Sequence, residues 1–429
     1  MQNAGLAQKY YFAAVIAAST IASVFFSITS NYGGDVDTYG ILRSFLNVLH
    51  NGHYAPSRFT GYPVAEVSIG YLAWIGGSSL SNLVTYILYL LSVLIFPFCF
   101  VSRIKLNRYL GFVALGLSSP LLVFDNIQSM DYSWALFFWV CGCFCIYRLE
   151  SQLVAVIPFA LSIGCRPSFA IFVAASALLL APTRQDSDAR SDNKNPIRGR
   201  FALAFASIFA GSIFYIPIWF NSGFGLTWLT AGVGEMGGFV GHLARLTYKT
   251  SLAIGLIQLV VLFAFGLWLL FFKRLKLRES LLLPSSSAQT IAAICILNLL
   301  MFFKVPHELS YLQPLLLCLY MTLVSSSVAA LMPLVSVLVA LNVSGWIVEP
   351  RLLKVDQRSV EGPCPGGVAE SVSLGFHFEK GRVETFREAS KNSICYNNQV
   401  IGGIDYSTSL RDGLPLRLAI DAGLHRVKN

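Results

Sequence analysis

The sequence predicts an all-α polytopic membrane protein of about eleven transmembrane helices, with an amphipathic helix on its outer face and a small α/β C-terminal soluble module. Three observations carry that reading. Hydrophobic residues make up 55% of the 429, charged residues only 12%, and the mean hydropathy is +0.63; soluble domains carry roughly 25% charge. Apolar stretches run to roughly 15 to 22 residues, enough for helices across a hydrocarbon core of about 30 Å, whereas barrel strands would alternate in segments of about ten. Lys and Arg collect in alternate connections, as they do where one set of loops stays in the cytoplasm.

The first span, 10–29, follows Lys9. It lacks a persuasive small-x-small cleavage site and reads as an uncleaved anchor. An outer segment follows, then spans at 80–101, 109–125 and 132–148. The stretches 152–164 and 167–181 are short for full crossings and read as tilted helices or as one broken pair. Residues 183–200 form a polar cytoplasmic connector. Spans at 201–220, 251–272, 289–303, 311–326 and 328–348 complete the membrane domain, 1–348. Between two of them, the loop Asn221 to Thr250 holds Gly232, Gly234, Gly237, Gly238 and Gly241 around Glu235. Those glycines suit either a lid over substrate or close packing of backbone on a neighbouring helix.

Residues 349–429 are a second, exported module: charge rises, and Ser371 to Phe378 alternates as a half-buried strand does. About 80 residues carry only a modest core, so docking on the membrane domain or a Cys364–Cys395 disulfide in an oxidising compartment would help it fold. The other seven cysteines lie in or beside apolar spans. Cys141, Cys143 and Cys145 alternate along a helix and point to different faces, so they read as packing rather than as a metal motif.

The charge test fixes an orientation. One set of loops holds Lys9, Arg103, Lys105, Arg108, Arg148, Arg184, Arg190, Lys194, Arg198, Arg200, Lys273, Arg274, Lys276 and Arg278; the other, leaving out the tail, holds Arg43, Arg58, Arg166, Arg245, Lys249 and Lys304. The N-terminus is therefore expected inside and the tail outside. The net charge of +9 is accounted for by membrane orientation and contact with anionic lipids, and needs no nucleic-acid partner.

Acidic residues show the opposite bias. Asp35, Asp37, Glu66, Asp125, Asp131, Glu235 and Glu308 all fall on outer loops or outer span ends. Asp and Glu hardly influence insertion, so topology rules do not explain the segregation. It points to chemistry on the outer face, where Asp35 and Asp37 follow the first span at once. A solvated loop end is the alternative for that pair.

The stretch Gly33 to Gly77, GGDVDTYGILRSFLNVLHNGHYAPSRFTGYPVAEVSIGYLAWIGG, resembles the first outer loop of GT-C superfamily glycosyltransferases. The matching positions are Asp35 and Asp37, the helix around Val36 to Leu49, Gly52-His53-Tyr54 and Gly61-Tyr62-Pro63. Asp125 to Asp131 resembles the second outer loop of that family, Gly164-Cys165-Arg166-Pro167-Ser168 its glycine-arginine turn, and Lys304-Val305-Pro306-His307-Glu308 a late outer loop. The likeness covers roughly residues 1 to 348.

The resemblance implies a lipid-phosphate-sugar-dependent transferase. Its polyprenyl-phosphate sugar donor would serve a glycan, lipid or protein acceptor at the outer face of a bacterial inner membrane. Asp35 is the first choice for the base that takes the acceptor proton and Asp37 the second. Arg58 and Arg166 are the preferred phosphate ligands, because a guanidinium binds two oxygens at once; Lys304 and His307 are runners-up. Arg58 snorkelling to headgroups, Arg166 capping a helix and His307 as a hydrogen-bonded interface histidine are the structural alternatives. Glu66 is expected to hydrogen-bond the loop, and Tyr62 and Glu308 belong to the substrate-binding segments. Some members of the family use a divalent metal, for which Asp35 with Asp37 or Asp131 offers hard oxygens without a complete ligand set. Two other functions fit the same pattern: a ligase or polymerase of lipid-linked glycans, and a flippase or transporter of lipid-linked sugars.

Overall fold

In a computed structural model, the described residues are 2–29, 32, 36–57, 61–180, 196–222, 250, 254–268, 282–304, 309–328 and 331–344, with the strand backbones 346–356, 369–380, 400–401 and 404–405. The chain begins with α1 (Gln2–Thr29) and α2 (Val36–Asn51). The latter covers the amphipathic helix that the resemblance implies. A long α3 (Pro63–Ile95) follows, extended by a 3-10 turn at Phe96–Cys99. Its first half lies in the segment expected as an outer loop. The reason is local: Pro63 opens the helix at a position where no N–H is needed, and the helix is interrupted only at Gly77, with a φ of 70° and a ψ of −162°.

Next come α4 (Leu106–Ser118), α5 (Pro120–Asn126), α6 (Asp131–Tyr147), α7 (Gln152–Cys165) and α8 (Ala170–Leu179). They are followed by α9 (Pro196–Ile213), α10 (Ile216–Ser222), α11 (Leu256–Trp268), α12 (Ser285–Lys304), α13 (Gln313–Val324) and α14 (Leu331–Ser344). The expected span 109–125 is thus two helices, and the 152–164 and 167–181 stretches are separate helices joined by a turn at Pro167–Phe169. The connector expected at 183–200 is shortened by α9, which starts at Pro196. The lid candidate within 221–250 lies almost wholly outside the described residues.

Three helices are long and apolar enough to cross a membrane on their own: Gly5–Thr29, Pro63–Cys99 and Ser285–Phe303. The other apolar helices have 10–17 residues, at or below the lower end of the ~17–25 of a full crossing. Eleven full-length spans are therefore not found among the described residues. Proline accounts for much of the shortening, since Pro120, Pro167 and Pro314 each begin a new helical segment. What the helices do have is an outward apolar surface. Only 28% of the most apolar window of α1 is buried inside the protein, and Tyr10, Ile21, Phe25, Leu153, Phe205, Phe209 and Phe263 are exposed. A surface of this kind is unfavourable in water and suited to hydrocarbon.

Polar contacts gather at two ends of the bundle. At one, Gln8 Nε2 donates to Ser336 Oγ (2.8 Å) and Met332 O (3.1 Å) and receives Asn107 Nδ2 on its Oε1 (3.0 Å). Arg148 there donates to the carbonyls of Phe98, Val101 and Ser102, which end the α3 segment. At the other end Asn82 Nδ2 donates to Ser27 O (3.2 Å), and Ser129 Oγ bonds Ser81 Oγ (2.7 Å) and Asn82 Oδ1 (2.6 Å). Gln8 and Ser27 lie on the same helix, about 28 Å apart at 1.5 Å per residue, close to the thickness of a bilayer core.

Between the two ends, the α4–α5 break is satisfied from within. Pro120 has no N–H to give Gly116 O, and Tyr89 Oη supplies the missing bond at 2.8 Å. Close by in sequence, Asn342 Nδ2 donates to Ser118 Oγ (3.2 Å) and takes Gln258 Nε2 on its Oδ1 (3.2 Å). Cys143 and Cys145 are free and buried and Cys141 is half-buried, in keeping with their reading as packing.

Past α14 the described tail consists of strands: β1 (Trp346–Asp356) pairs antiparallel with β2 (Ala369–Lys380), and β3 (Val400–Ile401) with β4 (Ile404–Asp405). The strand expected at Ser371 to Phe378 lies inside β2. No helix occurs among the described tail residues, so the mixed α/β module is not supported. Cys364 and Cys395 lie outside the described residues.

Tyr89→Phe should leave Gly116 O buried without a donor and lower stability by about 1–3 kcal/mol, read as a reduced Tm of the detergent-solubilised protein. Ser92→Ala, one turn on in the same helix, removes only a hydroxyl bonded to Leu88 O in its own helix and should shift Tm far less.

Candidate functional site

The end of the bundle that holds Ser129 also holds the acids. Asp131 opens α6 after an extended Met130, and Arg166 ends α7 with an extended backbone forced by the following Pro167. Their side chains meet: Arg166 Nη1 lies 2.5 Å from Asp131 Oδ2, with 1% and 0% of the two side chains exposed. Around the guanidinium stand three tyrosines from three segments. Its carbon is 3.4 Å from the ring centre of Tyr132, 4.7 Å from that of Tyr311 and 5.0 Å from that of Tyr62. A planar cation close to aromatic rings gains from both dispersion and the ring quadrupoles.

Tyr62 joins this pair to a second buried charge. Glu66, in the first turn of α3, is fully buried. Its Oε2 receives Tyr54 Oη (2.5 Å) and Ser44 Oγ (2.6 Å), and its Oε1 receives Ser57 Oγ (2.5 Å), Ser57 N (3.2 Å) and Tyr62 N (3.2 Å). One carboxylate thus ties α2, through Ser44, and the loop before α3 to the start of that helix. Donors on both oxygens replace the water that burial removed. Burial, together with the facing Glu66, pushes the Tyr54 phenol well above its ordinary range, so it stays a donor. Gly61 makes the turn possible. Its φ of +68° is left-handed, and a Cβ there would meet Ile218 Cδ1 at 2.5 Å and Tyr54 Oη at 2.9 Å.

The α2 N-terminus reaches the same place. Thr38, buried in its first turn, donates to Ser129 O (3.5 Å) and to Met130 Sδ (3.5 Å). Asp125, half-buried at the end of α5, accepts from Gln313 Nε2 (3.3 Å), and Asn298 Nδ2 donates to Tyr311 O (2.7 Å).

Of the residues singled out from the sequence, Tyr62, Glu66, Asp131 and Arg166 are brought together. Asp37 is the second residue of α2 and Lys304 the last of α12, but their side chains lie outside the described residues. Asp35, Arg58, His307 and Glu308 lie outside them altogether. One expectation changes. Arg166 is closed in and paired with Asp131, which makes it a fixed part of the architecture and not an open phosphate ligand. Asp131 gives one oxygen to that guanidinium. Glu66 bonds the loop. Among the described residues no cluster of three or more His, Cys, Asp and Glu is arranged to hold a metal ion.

Sequence reasoning missed Tyr132, Tyr311, Ser44, Tyr54 and Ser57 as members of the site. Tyr54 stood inside a noted motif and Tyr132 beside a noted acid, which was the available signal. Tyr311 and Ser44 carried none, because contacts across far separations in sequence bring them in. No protein family, curated protein or solved structure matches this chain.

Glu66→Ala should strand the hydroxyls of Ser57 and Tyr54 and the Ser57 N–H, while Ser44 keeps Ala55 O (2.6 Å) and Tyr62 N keeps Tyr54 Oη (3.2 Å), lowering stability by about 3 kcal/mol or more. Ser44→Ala should cost only about 1 kcal/mol. Thermal unfolding in detergent compares the two.

Proposed function

We propose that this protein is an integral membrane glycosyltransferase that moves a sugar from a polyprenyl-phosphate donor to a glycan, lipid or protein acceptor at the acid-bearing end of the bundle. One observation carries the reading. The helix that begins beside Asp35 and contains Asp37 is anchored by Thr38 on Ser129 O, two residues from Asp131, at the edge of an apolar bundle about one bilayer thick. A donor with a hydrocarbon tail needs that meeting of carboxylate and lipid.

In this reading Asp35 takes the proton of the acceptor hydroxyl as its oxygen bonds to the anomeric carbon of the sugar. The bond from that carbon to the phosphate oxygen breaks, and the electron pair leaves with the lipid phosphate. Arg58, Lys304 and His307 then stabilise the phosphate, since Arg166 is committed to Asp131. Asp37, in the first turn of α2, favours the helix N-terminus electrostatically and orients the sugar. A divalent cation, where used, falls to Asp35 and Asp37. The finer topology belongs to the same proposal: short helices combining into about eleven crossings, the N-terminus cytoplasmic, the tail exported, and a bacterial inner membrane as the host.

A second reading, movement of a lipid-linked sugar across the bilayer, draws on the α4–α5 break and the Ser118, Asn342 and Gln258 amide contacts beside it, because interrupted helices with polar groups between bundle ends suit translocation. Chemistry separates the readings. Membranes carrying the protein and supplied with a panel of polyprenyl-phosphate sugars should yield a new glycosidic bond. Asp35→Asn should cut that product by about 100-fold or more, and Asp37→Asn by less, at unchanged protein levels. Lipid redistribution without product supports the mover. Loss of product dominated by Arg58 and His307 changes, with both Asp→Asn variants active, supports a lipid-linked glycan ligase.

A further inference from the structure

We propose that the β1–β2 ribbon lies along the lipid surface at the acid-bearing end of the bundle, with one face set into the interfacial region of the bilayer. Its placement needs nothing from the transfer chemistry proposed above.

The register divides the ribbon by polarity. Successive strand residues belong to opposite faces, and residues paired across two strands share one face. Val348 pairs with Phe378, Pro350 with Phe376 and Leu352 with Leu374, so one face is apolar along its length. Ile347 with Glu379, Glu349 with His377 and Arg351 with Gly375 make the other, which carries the charges. A ribbon of two strands is marginally stable in water at best, so an apolar face on it needs cover. Growth of the sheet does not supply that cover among the described residues: β1 and β2 form one two-stranded sheet, β3 and β4 another. Pro350 also takes an N–H from β1, which suits an edge strand.

What covers the face follows from where the ribbon starts. Near its beginning α14 is level with Gln8, through Met332 O and Ser336 Oγ, and near its end Asn342 reaches Ser118. Its last residue, Ser344, lies about 18 Å along the helix from Met332, against about 28 Å from Gln8 to Ser27 on α1. β1, which begins at Trp346, therefore leaves the bundle no farther out than the edge of its apolar part. The tail is also kept at that level. β1 runs beside α11, whose Val260 and Phe263 are exposed, and β3 runs beside α2, which Thr38 seats on Ser129 O. Trp346 pairs with Lys380 at the end of the ribbon next to α14, and tryptophan and lysine are residue types that settle at headgroup level. A ribbon starting there, apolar on one face and charged on the other, matches an interface with hydrocarbon on one side and water on the other.

The test uses the full chain in lipid nanodiscs, with single nitroxide amino acids at Val348, Phe376 or Phe378 and, separately, at Glu349, His377 or Glu379. Collision rates with oxygen, which concentrates in lipid, and with a water-soluble nickel chelate are read at each position. The ratio should alternate with the strand period, the first set favouring oxygen and the second the chelate. Phe376→Glu with Phe378→Glu should remove the oxygen preference of a label at Val348, whereas Glu349→Gln with His377→Gln should leave it in place. If the double glutamate variant does not accumulate, the label series in the otherwise unchanged chain decides alone. Equal access of the chelate to both sets would overturn the proposal, because the ribbon would stand in water. Labels of the first set closed to both reagents would overturn it as well, because protein and not lipid would cover that face.

Discussion

A guanidinium shut away from water, on one carboxylate and between aromatic rings, is the interaction on which this end of the molecule depends. Placing a cation in such surroundings costs several kcal/mol unless it is paired and its geometry is good. Arg166 meets the condition with Asp131 and three tyrosines. The start of α6, the end of α7, the loop before α3 and the turn before α13 must converge for the pair to exist. Glu66 repeats the strategy without a cation, drawing its compensation from hydroxyls and backbone N–H groups. Tyr62 belongs to both groups, so the two buried charges form one unit and not two neighbouring ones.

The rest of the bundle follows the rule that apolar surroundings impose on a backbone: each N–H and C=O needs a partner within the protein. That is why the helix breaks are populated by side chains with free hydrogen-bonding capacity. Tyr89 covers the carbonyl that Pro120 abandons, and Ser79 Oγ bonds Ile28 O (2.9 Å) near the Gly77 kink. Arg148 spends its guanidinium on three carbonyls where α3 ends. Breaks answered in this way shorten individual helices while leaving the outer surface apolar, which explains how a chain can be this hydrophobic and still show few helices of full crossing length.

How much of this was legible in the sequence depends on the range of the signal. Composition and long apolar runs give the helical, membrane-suited class, because they are local properties, and the helix around Val36 to Leu49, which α2 covers, is an expectation of the resemblance alone. The break at Ser119 was missed since Ser118-Ser119-Pro120 sits inside a run hydrophobic enough to pass as one span. The α3 start was placed too late for a similar reason: Pro63 was read as part of a loop, although a proline at the first helical position is favourable. In the site, acids at one end were readable from the order of spans. Their partners were not. Arg166 finds Asp131 across 35 positions and Tyr311 across far more, and no pattern in a single chain encodes that meeting.

This division bears on which acids are left for chemistry. A catalytic carboxylate must give its lone pairs to a substrate, so an acid whose oxygens are already saturated by protein donors is a poor base. Glu66 accepts five hydrogen bonds and Asp131 is closed against a guanidinium, and both are shut off from solvent. Asp125 is engaged by Gln313 while remaining half-buried. Among the described residues, Glu66, Asp131 and Arg166 do the structural work of this end. Glu66 anchors Tyr54, Tyr62 and α2, and Thr38 seats the first turn of α2 on Ser129 O and Met130 Sδ. The first turn of α2 is therefore seated through Thr38 without drawing on either of the saturated acids.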